Sequence, residues 1–254
     1  ERADTTELTG AEMLRHALGL EGNSISGGVT LGGTSWASDL LRAAGGVSSD
    51  PDTQPDGFSG ELRSYQAEAV GWLGFLDDAG LGGCLALDMG LGKTPTILAR
   101  MAAAPGEKPS LVIAPPAVVG NWAAEAKRFT PDIKVLVHHG PARATGPQLA
   151  SNLRAADLVI TTYGTAVRDI TELGNTKWDR VVLDEAQVIK NHRSATAKEL
   201  RKLDARIRLA LTGTPIENGL GDLWAIMDFC NPGLVGGRTS FINQLNQMDE
   251  ADEV

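Results

Sequence analysis

The amino-acid sequence predicts an α/β fold in which a doubly wound, mostly parallel sheet is flanked by helices. Helical and short apolar strand patterns alternate from about residue 58 onward, which is typical of parallel strands joined by crossover helices. At residues 84–94 an apolar strand breaks directly into a glycine turn that opens a helix. The 254 residues, 42% of them hydrophobic, suffice for one full domain with an appendage or for two small domains.

The pattern divides the chain into three parts. Residues 1–57 form a small helical and irregular N-terminal extension and linker, residues 58–237 form the α/β part, and residues 238–254 form an acidic tail. The expected strands are 84–88, 110–114, 133–137, 157–161, 180–184 and 207–212. The expected helices are 62–76, 93–104, 117–129, 148–154, 163–171, 194–203 and 219–229.

The charge is unevenly distributed along the chain. The formal net charge of −9 argues at first against a nucleic-acid partner. Residues 1–57 hold three Arg against nine Asp and Glu, and residues 238–254 hold one Arg against four acidic residues, so the α/β part is neutral. Within it, residues 190–208 form a local basic stretch, which is either a solvated helix face or a track for phosphates.

The cysteine content, the length of the apolar runs and the first residues of the chain argue against several classes of protein. The only cysteines are Cys84 and Cys230, so we expect neither a disulfide framework nor a zinc site, and a reducing cytoplasm fits. The apolar runs are too short to cross a bilayer, so no membrane partner is expected. The chain opens on Glu1 without a segment resembling a secretion signal, which suggests a piece of a longer protein.

Residues 85–96 predict a phosphate-binding turn. The apolar run ends in Gly90, Gly92, Lys93 and Thr94, so backbone N–H groups, a helix dipole and an ammonium group point at one place, as a polyphosphate requires. The threonine hydroxyl is then available for Mg²⁺. Leu87 replaces the first glycine of the strict G-x-x-x-x-G-K-[ST] pattern, and a glycine-rich turn with a surface lysine is the alternative.

A second apolar strand ends in adjacent carboxylates, Asp184 and Glu185. The carboxyl ends of parallel strands line the ligand crevice, so Asp184 would reach the edge of the sheet where the phosphates lie. There Asp184 is expected to hold Mg²⁺ through water, and Glu185 is expected to polarise the attacking water as general base. Without the phosphate turn, the same pair would be interpreted as a solvated turn.

These residues and several further blocks resemble the first motor lobe of the Swi/Snf family of helicase-related DNA translocases, a superfamily two ATPase family, and in particular its bacterial branch. The resemblance covers about residues 58–237. The blocks that carry it are 58–66 with Trp72 and Leu73, 80–94, 111–116 with Asn121 and Trp122, 160–163, 184–191, and 211–218 with Leu220, Leu223 and Trp224.

The resemblance implies a RecA-like P-loop lobe of a DNA-dependent ATPase that translocates on duplex DNA and remodels protein–DNA complexes. It implies ATP and Mg²⁺ as cofactors. The implied partners are double-stranded DNA, contacted mainly through its backbone and independently of sequence, and a second motor lobe in the full-length chain. The implied location is the bacterial cytoplasm, in association with the nucleoid.

The resemblance also implies roles for individual residues. The ATP-binding set is Arg63 and Gln66 at the adenine, with Met89, Gly90, Leu91, Gly92, Lys93 and Thr94 at the phosphates. Thr94 and Asp184 would hold Mg²⁺, and Glu185 would be catalytic. The coupling set is Gln187, Thr212, Gly213 and Thr214. The DNA-binding set is Pro116, Asn121, Trp122, Thr162, Tyr163, Lys190 and Asn191.

Two departures from the family pattern bear on activity. Leu87 stands where the family usually has an acidic residue, and the sequence ends before a second lobe with its arginine motif, so the fragment alone is expected to hydrolyse ATP negligibly. A strand-separating helicase lobe is one alternative, although Gln187 and the Leu-Thr-Gly-Thr-Pro run at 211–215 weigh against an RNA unwinder. A non-hydrolysing nucleotide-binding or protein-interaction module is the other.

Overall fold

The computed structural model of the protein describes residues 55–252. Most of the predicted N-terminal extension therefore lies outside the described residues. Six strands form one sheet in the order β1-β6-β5-β2-β4-β3, and all five pairs of neighbouring strands are parallel. The strands are β1 Gly83–Leu85, β2 Ser110–Ala114, β3 Val135–His138, β4 Leu158–Thr162, β5 Trp178–Asp184 and β6 Ala205–Leu211. The predicted doubly wound parallel sheet is confirmed.

Helices connect the strands as crossovers. They are α1 Ser64–Ala79, α2 Lys93–Ala103, α3 Val119–Phe129, α4 Gly146–Ala155, α5 Tyr163–Arg168, α6 Ile170–Gly174, α7 Ala195–Leu200, α8 Leu220–Cys230 and α9 Arg238–Asp252. Short 3-10 helices occupy Pro116–Val118 and Ala186–Ile189. The single helix expected over 163–171 is divided at Asp169, whose carboxylate turns back to bind His138 and Arg143. Among the described residues, no helix is both long and apolar enough to span a membrane.

The two faces of the sheet are covered by different helices. Alternate residues of β2 divide between two apolar clusters, with Leu111 and Ile113 in one and Val112 and Ala114 in the other. The first cluster includes side chains from α4, α5, α7 and α8, and the second includes side chains from α1, α2 and α3. A strand buried on both faces has a nearly continuous apolar sequence, which is why the central strands were predictable.

A network of ion pairs ties helices and strands together at the amino-terminal edge of the sheet. Arg180 of β5 is buried and bridges Asp77 of α1, at 2.6 Å, and the neighbouring Asp179. Arg100 of α2 also binds Asp77, at 2.7 Å, and Arg206 of β6 binds Asp179, at 2.8 Å. Four elements therefore depend on one set of paired charges.

Most of the basic side chains in the stretch at 190–208 bind partners within the protein. Arg201 pairs with Asp228, Lys202 pairs with Glu199, and Arg206 belongs to the network at the amino-terminal edge. Arg208 donates to the backbone carbonyls of Arg201 and Leu203. Most of these side chains therefore have partners within the protein, and a phosphate track along this stretch stays a prediction.

Replacement of Arg180 tests the network. Arg180→Met keeps much of the side-chain volume but leaves Asp77 and Asp179 with fewer partners, and breaking a buried ion pair costs about 3–5 kcal/mol. Lys202→Met is the control because its pair with Glu199 is exposed and should contribute less than about 1 kcal/mol. The free energy of unfolding from urea titration checks both values, and equal losses in the two variants would contradict the assignment.

Candidate nucleotide site and adjoining edge

The parallel sheet brings three predicted motifs to one edge. Leu85, the last residue of β1, pairs with Leu211 of β6, and Leu211 also pairs with Asp184 of β5. These strands lead into the phosphate turn, the acidic pair Asp184 and Glu185, and the 212–214 segment with its predicted coupling residues. Strands that end in register deliver their following loops to the same place, so three regions distant in sequence become neighbours.

The phosphate turn curls around the ammonium group of Lys93. Its Nζ donates to the carbonyl oxygens of Leu87, at 2.9 Å, and Asp88, at 3.3 Å. Gly90 and Gly92 have φ angles of 82° and 75°, a left-handed conformation that glycine adopts without steric cost. Helix α2 begins at Lys93, so Thr94 lies in its first turn, at the positive end of the helix dipole.

Helix α1 is hydrogen-bonded to this turn. The Gln66 amide is buried, and its Nε2 lies 3.4 Å from the Leu91 oxygen and 3.3 Å from the Gly92 oxygen. Its Oε1 accepts from the backbone N–H of Arg63 at 2.9 Å. The Tyr65 hydroxyl donates to the Leu91 oxygen at 3.1 Å, a contact that was not among the predicted site residues. The start of α1, which carries the residues predicted to bind adenine, therefore holds the phosphate turn directly.

The side chains of the phosphate turn differ in their exposure to solvent. Met89 is 82% exposed and Leu91 is 38% exposed, so their side chains lie in solvent while their backbone belongs to the phosphate turn. A Cβ atom on Gly92 would overlap Nε2 of Gln66. Any other residue at that position would displace the Gln66 side chain from the turn, and the positive φ of Gly92 independently favours glycine.

Asp184 is a buried carboxylate with two fixed donors. Its Oδ2 accepts from Nε1 of Trp122 at 2.8 Å, and its Oδ1 accepts from the backbone N–H of Glu185 at 3.0 Å. Burial raises the pKa of Asp184, and the Trp122 hydrogen bond and the charge of Lys93 act in the opposite direction. The interaction with Lys93 also shows that the strand end and the phosphate turn are electrostatically linked.

Glu185 has a strained backbone and begins a chain of hydrogen bonds. Its φ and ψ angles are 53° and 56°, and it is the only non-glycine residue with a positive φ in the described part of the chain. Its Oε2 accepts from Gln187 Nε2 at 2.7 Å, and Gln187 Oε1 accepts from the Thr212 hydroxyl at 3.0 Å. The Thr212 hydroxyl in turn accepts from the N–H of Thr214 at 3.1 Å.

These hydrogen bonds connect Gln187, Thr212 and Thr214, three of the predicted coupling residues, to the predicted general base. The fourth, Gly213, lies beside the phosphate turn, since a Cβ atom there would be 3.6 Å from the Met89 nitrogen. Backbone strain of this kind persists where the surroundings hold it, and it is concentrated at functional sites. A change at Glu185 would therefore be felt at the 212–214 segment.

The predicted DNA-binding set is divided by the structure. Pro116 and Asn121 are exposed, and the Asn121 side chain donates to Glu125. Trp122, Thr162 and Tyr163 are buried, so their side chains lie in the interior of the protein, and a contact of these residues with DNA stays a prediction. Trp122 packs on the sheet while its neighbour Asn121 faces solvent, because neighbouring positions on a helix face different directions.

The three buried side chains have internal partners. Thr162 caps α5 by accepting from the N–H of Thr165 at 3.3 Å. The Tyr163 hydroxyl donates to the carbonyl oxygen of Asp184 at 2.7 Å. Burial, followed by the charges of Asp184 and Glu185, raises the pKa of the Tyr163 phenol well above its usual value, so it remains a hydrogen-bond donor.

Lys190 is also paired within the protein. Its Nζ lies 3.0 Å from Oε2 of Glu217 and 3.6 Å from Oδ2 of Asp222, and its side chain is 8% exposed. Asn191 is exposed, and its side-chain oxygen accepts from the N–H of Arg193. The segment after Asp184 and Glu185 is thus tied a second time to the segment after β6.

The donor set at the edge fits a magnesium ion bound together with a nucleotide. Within residues 55–252, no group of three or more His, Cys, Asp or Glu side chains could hold a metal by itself, and His138 is instead paired with Asp169 at 2.8 Å. Mg²⁺ is usually held by one or two carboxylates together with phosphate oxygens and water. Asp184 and Thr94 supply one carboxylate and one hydroxyl, and each Asp184 oxygen keeps a lone pair.

Comparison with known proteins agrees with this geometry. Residues 65–253 match the SNF2-related domain family. The putative ATP-dependent helicase/translocase YwqA of Bacillus subtilis is 44% identical over 188 residues, which are 72% of this chain and 20% of that protein. The TATA-binding protein-associated factor MOT1 of Saccharomyces cerevisiae is 37% identical over 210 residues, which are 75% of this chain and 11% of that protein.

A solved structure shows the same similarity. It is described as the Sulfolobus solfataricus SWI2/SNF2 ATPase core in complex with dsDNA, and it is 41% identical with a TM-score of 0.67 over 74% of this chain and 40% of the solved chain. The chain thus spans less than half the length of these relatives. The match in sequence and in fold shows that the chain belongs to the SNF2-related domain family.

Proposed function

We propose that this chain is the ATP-binding first lobe of a DNA-dependent ATPase that translocates on duplex DNA and remodels protein–DNA complexes. The observation that carries the proposal is the common edge at which the phosphate turn, the Asp184 and Glu185 carboxylates and the coupling segment meet. Family membership supports it. The whole protein would also contain a second motor lobe, which completes the ATP site.

The nucleotide would lie across the turn at the start of α2. Backbone N–H groups of residues 89–94 would bind the phosphates, and Lys93 would exchange its carbonyl contacts for β- and γ-phosphate oxygens. Arg63 and Gln66 would bind the adenine, which requires Gln66 to exchange its contacts with the turn.

Hydrolysis would be carried out by the residues at the end of β5. Thr94 and Asp184 would hold Mg²⁺, which neutralises phosphate charge when it is bound. Glu185 would orient and deprotonate water, and its hydrogen bond to Gln187 would pass the state of the site to Thr212, Gly213 and Thr214. The left-handed backbone of Glu185 would aim its carboxylate away from the strand axis.

Duplex DNA would run along the same edge of the sheet. Pro116 and Asn121 are exposed there, and a related ATPase core has been solved in complex with dsDNA. Such contacts reach the backbone and carry no base information. A motor that tracks on DNA in this way would work in the bacterial cytoplasm, on the nucleoid.

Glu185→Gln tests the assignment of the general base. In the full-length protein the amide should keep MgATP bound, since it is nearly isosteric, but it cannot accept the proton of water, and loss of a general base costs about 10²–10⁴-fold in rate. Calorimetric titration measures binding, and phosphate release with and without duplex DNA measures turnover. The rate of ATP hydrolysis by the wild-type protein should rise when duplex DNA is added.

Glu199→Gln is the matched control, because Glu199 lies in α7 and pairs only with Lys202 among the described ion pairs. It should hydrolyse ATP like the wild type. If Glu185→Gln retained more than half of the wild-type rate, or if the wild-type rate were indifferent to duplex DNA, the proposed function would be wrong.

Lys190 provides a test of the DNA contact. We propose that Lys190 leaves Glu217 and Asp222 to bind a DNA phosphate. Glu217→Gln removes the shorter of these two ion pairs and should tighten binding by about two- to five-fold, the range expected when one partner of the pair is exposed. Lys190→Ala should weaken binding equally on unrelated duplexes. It should also lower the slope of log affinity against log salt by about one unit, the effect of one released counterion.

Glu199→Gln again serves as the control, because it changes the net charge by the same amount as Glu217→Gln. Fluorescence anisotropy over a salt series gives the affinities and slopes. An unchanged slope in Lys190→Ala would show that Lys190 only ties the two segments together, and equal affinities for the two glutamate variants would show a general charge effect.

A further inference from the structure

Two buried aromatic side chains reach Asp184 from opposite faces of the sheet. Trp122 belongs to the apolar cluster under α1, α2 and α3, and Tyr163 belongs to the cluster under α4, α5, α7 and α8. The Trp122 N–H binds the Asp184 carboxylate at 2.8 Å, and the Tyr163 hydroxyl binds the Asp184 carbonyl at 2.7 Å. Both donors are thus supplied by helices that follow strands at the proposed DNA edge.

We propose that Trp122 and Tyr163 are positioning residues for the magnesium ligand Asp184, and that Trp122 links the DNA-facing start of α3 to that ligand. The inference rests on the proposed function, because it assumes that Asp184 holds Mg²⁺ with ATP. It replaces direct DNA contact as the role of these two side chains.

Trp122 fixes the orientation of the carboxylate. An indole N–H is a donor only, so it holds Oδ2, while the N–H of Glu185 holds Oδ1. With one donor on each oxygen, the carboxylate plane cannot rotate without losing a hydrogen bond. Groups that orient a metal ligand in this way typically change metal affinity about 10- to 100-fold when they are removed.

Tyr163 fixes the backbone that carries both acidic residues. Its hydroxyl lies 2.7 Å from the carbonyl oxygen of Asp184 and 3.5 Å from that of Glu185. The chain changes there from an extended strand to a left-handed residue. A donor at that point holds the turn from which the metal ligand and the general base project.

The proposed link to DNA runs through the exposed residues that precede Trp122 in the chain. Asn121 is exposed and directly precedes Trp122, and Pro116 is exposed in the 3-10 helix that leads into α3. A DNA backbone lying on Pro116 and Asn121 would bear on the helix turn that carries the Trp122 indole. DNA occupancy would then be transmitted to Asp184 through one covalently adjacent residue and one hydrogen bond.

Trp178 offers a matched control for Trp122. Each indole is only 1% exposed, and each donates one hydrogen bond, from Trp178 to the carbonyl oxygen of Leu173 at 3.0 Å. Tryptophan-to-phenylalanine replacement removes a donor and part of a buried ring in both cases. If Trp122 only stabilised the fold, the two replacements would have similar effects. If Trp122 positions Asp184, only its replacement would change the magnesium concentration that ATP binding requires.

The experiment uses the full-length protein with Trp122→Phe or Trp178→Phe. ATP binding is measured by calorimetry over a series of MgCl₂ concentrations, and duplex DNA binding is measured by anisotropy. We expect the half-saturating magnesium concentration to rise about 10- to 100-fold in Trp122→Phe and to stay at the wild-type value in Trp178→Phe. Both variants should bind DNA, and Trp122→Phe should lose most of the stimulation of ATP hydrolysis by DNA.

Equal magnesium requirements in the two variants would overturn the inference, and so would a loss of DNA binding in Trp122→Phe without a change in magnesium requirement. If Trp122→Phe does not fold, Tyr163→Phe is used in the same experiment, because it removes the donor to the Asp184 carbonyl oxygen. An unchanged magnesium requirement in Tyr163→Phe would also overturn the inference. Failure of the proposed function has a different signature, since the wild-type protein itself would then show no magnesium-dependent ATP binding or no stimulation of ATP hydrolysis by duplex DNA.

Discussion

The buried carboxylate of Asp184 is the constraint around which the edge of the sheet is arranged. A carboxylate at the end of a central strand loses most of its water, which raises the pKa of Asp184 and disfavours the ionised form that a magnesium ligand needs. The Trp122 N–H, the Glu185 N–H and the charge of Lys93 oppose that effect. Trp122 lies in α3, Lys93 lies in α2 and Glu185 directly follows β5, so the surroundings of Asp184 form only when these elements pack together.

The same arrangement ties Glu185 to the segment that follows β6, which is the route we propose for communication within the lobe. The Glu185 backbone departs from the strand in a left-handed conformation, and its side chain begins a hydrogen-bonded chain that ends on the 212–214 segment. Lys190 joins the same two regions through Glu217 and Asp222. Two separate links between the segments after β5 and β6 make it unfavourable for either segment to move alone.

Much of the fold was predictable because its strands are buried on both faces. Residues 110–114 were predicted as a strand with the observed bounds, since a buried parallel strand is a continuous apolar run. The phosphate turn and the two carboxylates were identifiable because their chemistry is local in sequence. The observed β1 is shorter than predicted because the chain leaves the sheet early to form the turn.

The missed features depend on contacts between distant residues. The phase of α3 decides that Trp122 faces the sheet while Asn121 faces solvent, and no local pattern reveals it. The division of the 163–171 helix follows from the pairing of Asp169 with His138 and Arg143, and the partner of Lys190 lies 27 residues away. Side-chain direction and long-range pairing are therefore what the structure adds.

The most direct test of the account is the coupling between nucleotide and DNA binding. Duplex DNA affinity is measured with and without a non-hydrolysable ATP analogue and Mg²⁺, and analogue affinity is measured with and without duplex DNA. Thermodynamic linkage requires the two ratios to be equal, and coupled sites typically differ by about 5-fold or more. The account predicts equal ratios at least that large in the full-length protein. Ratios of one in both directions, with both ligands bound, would contradict it.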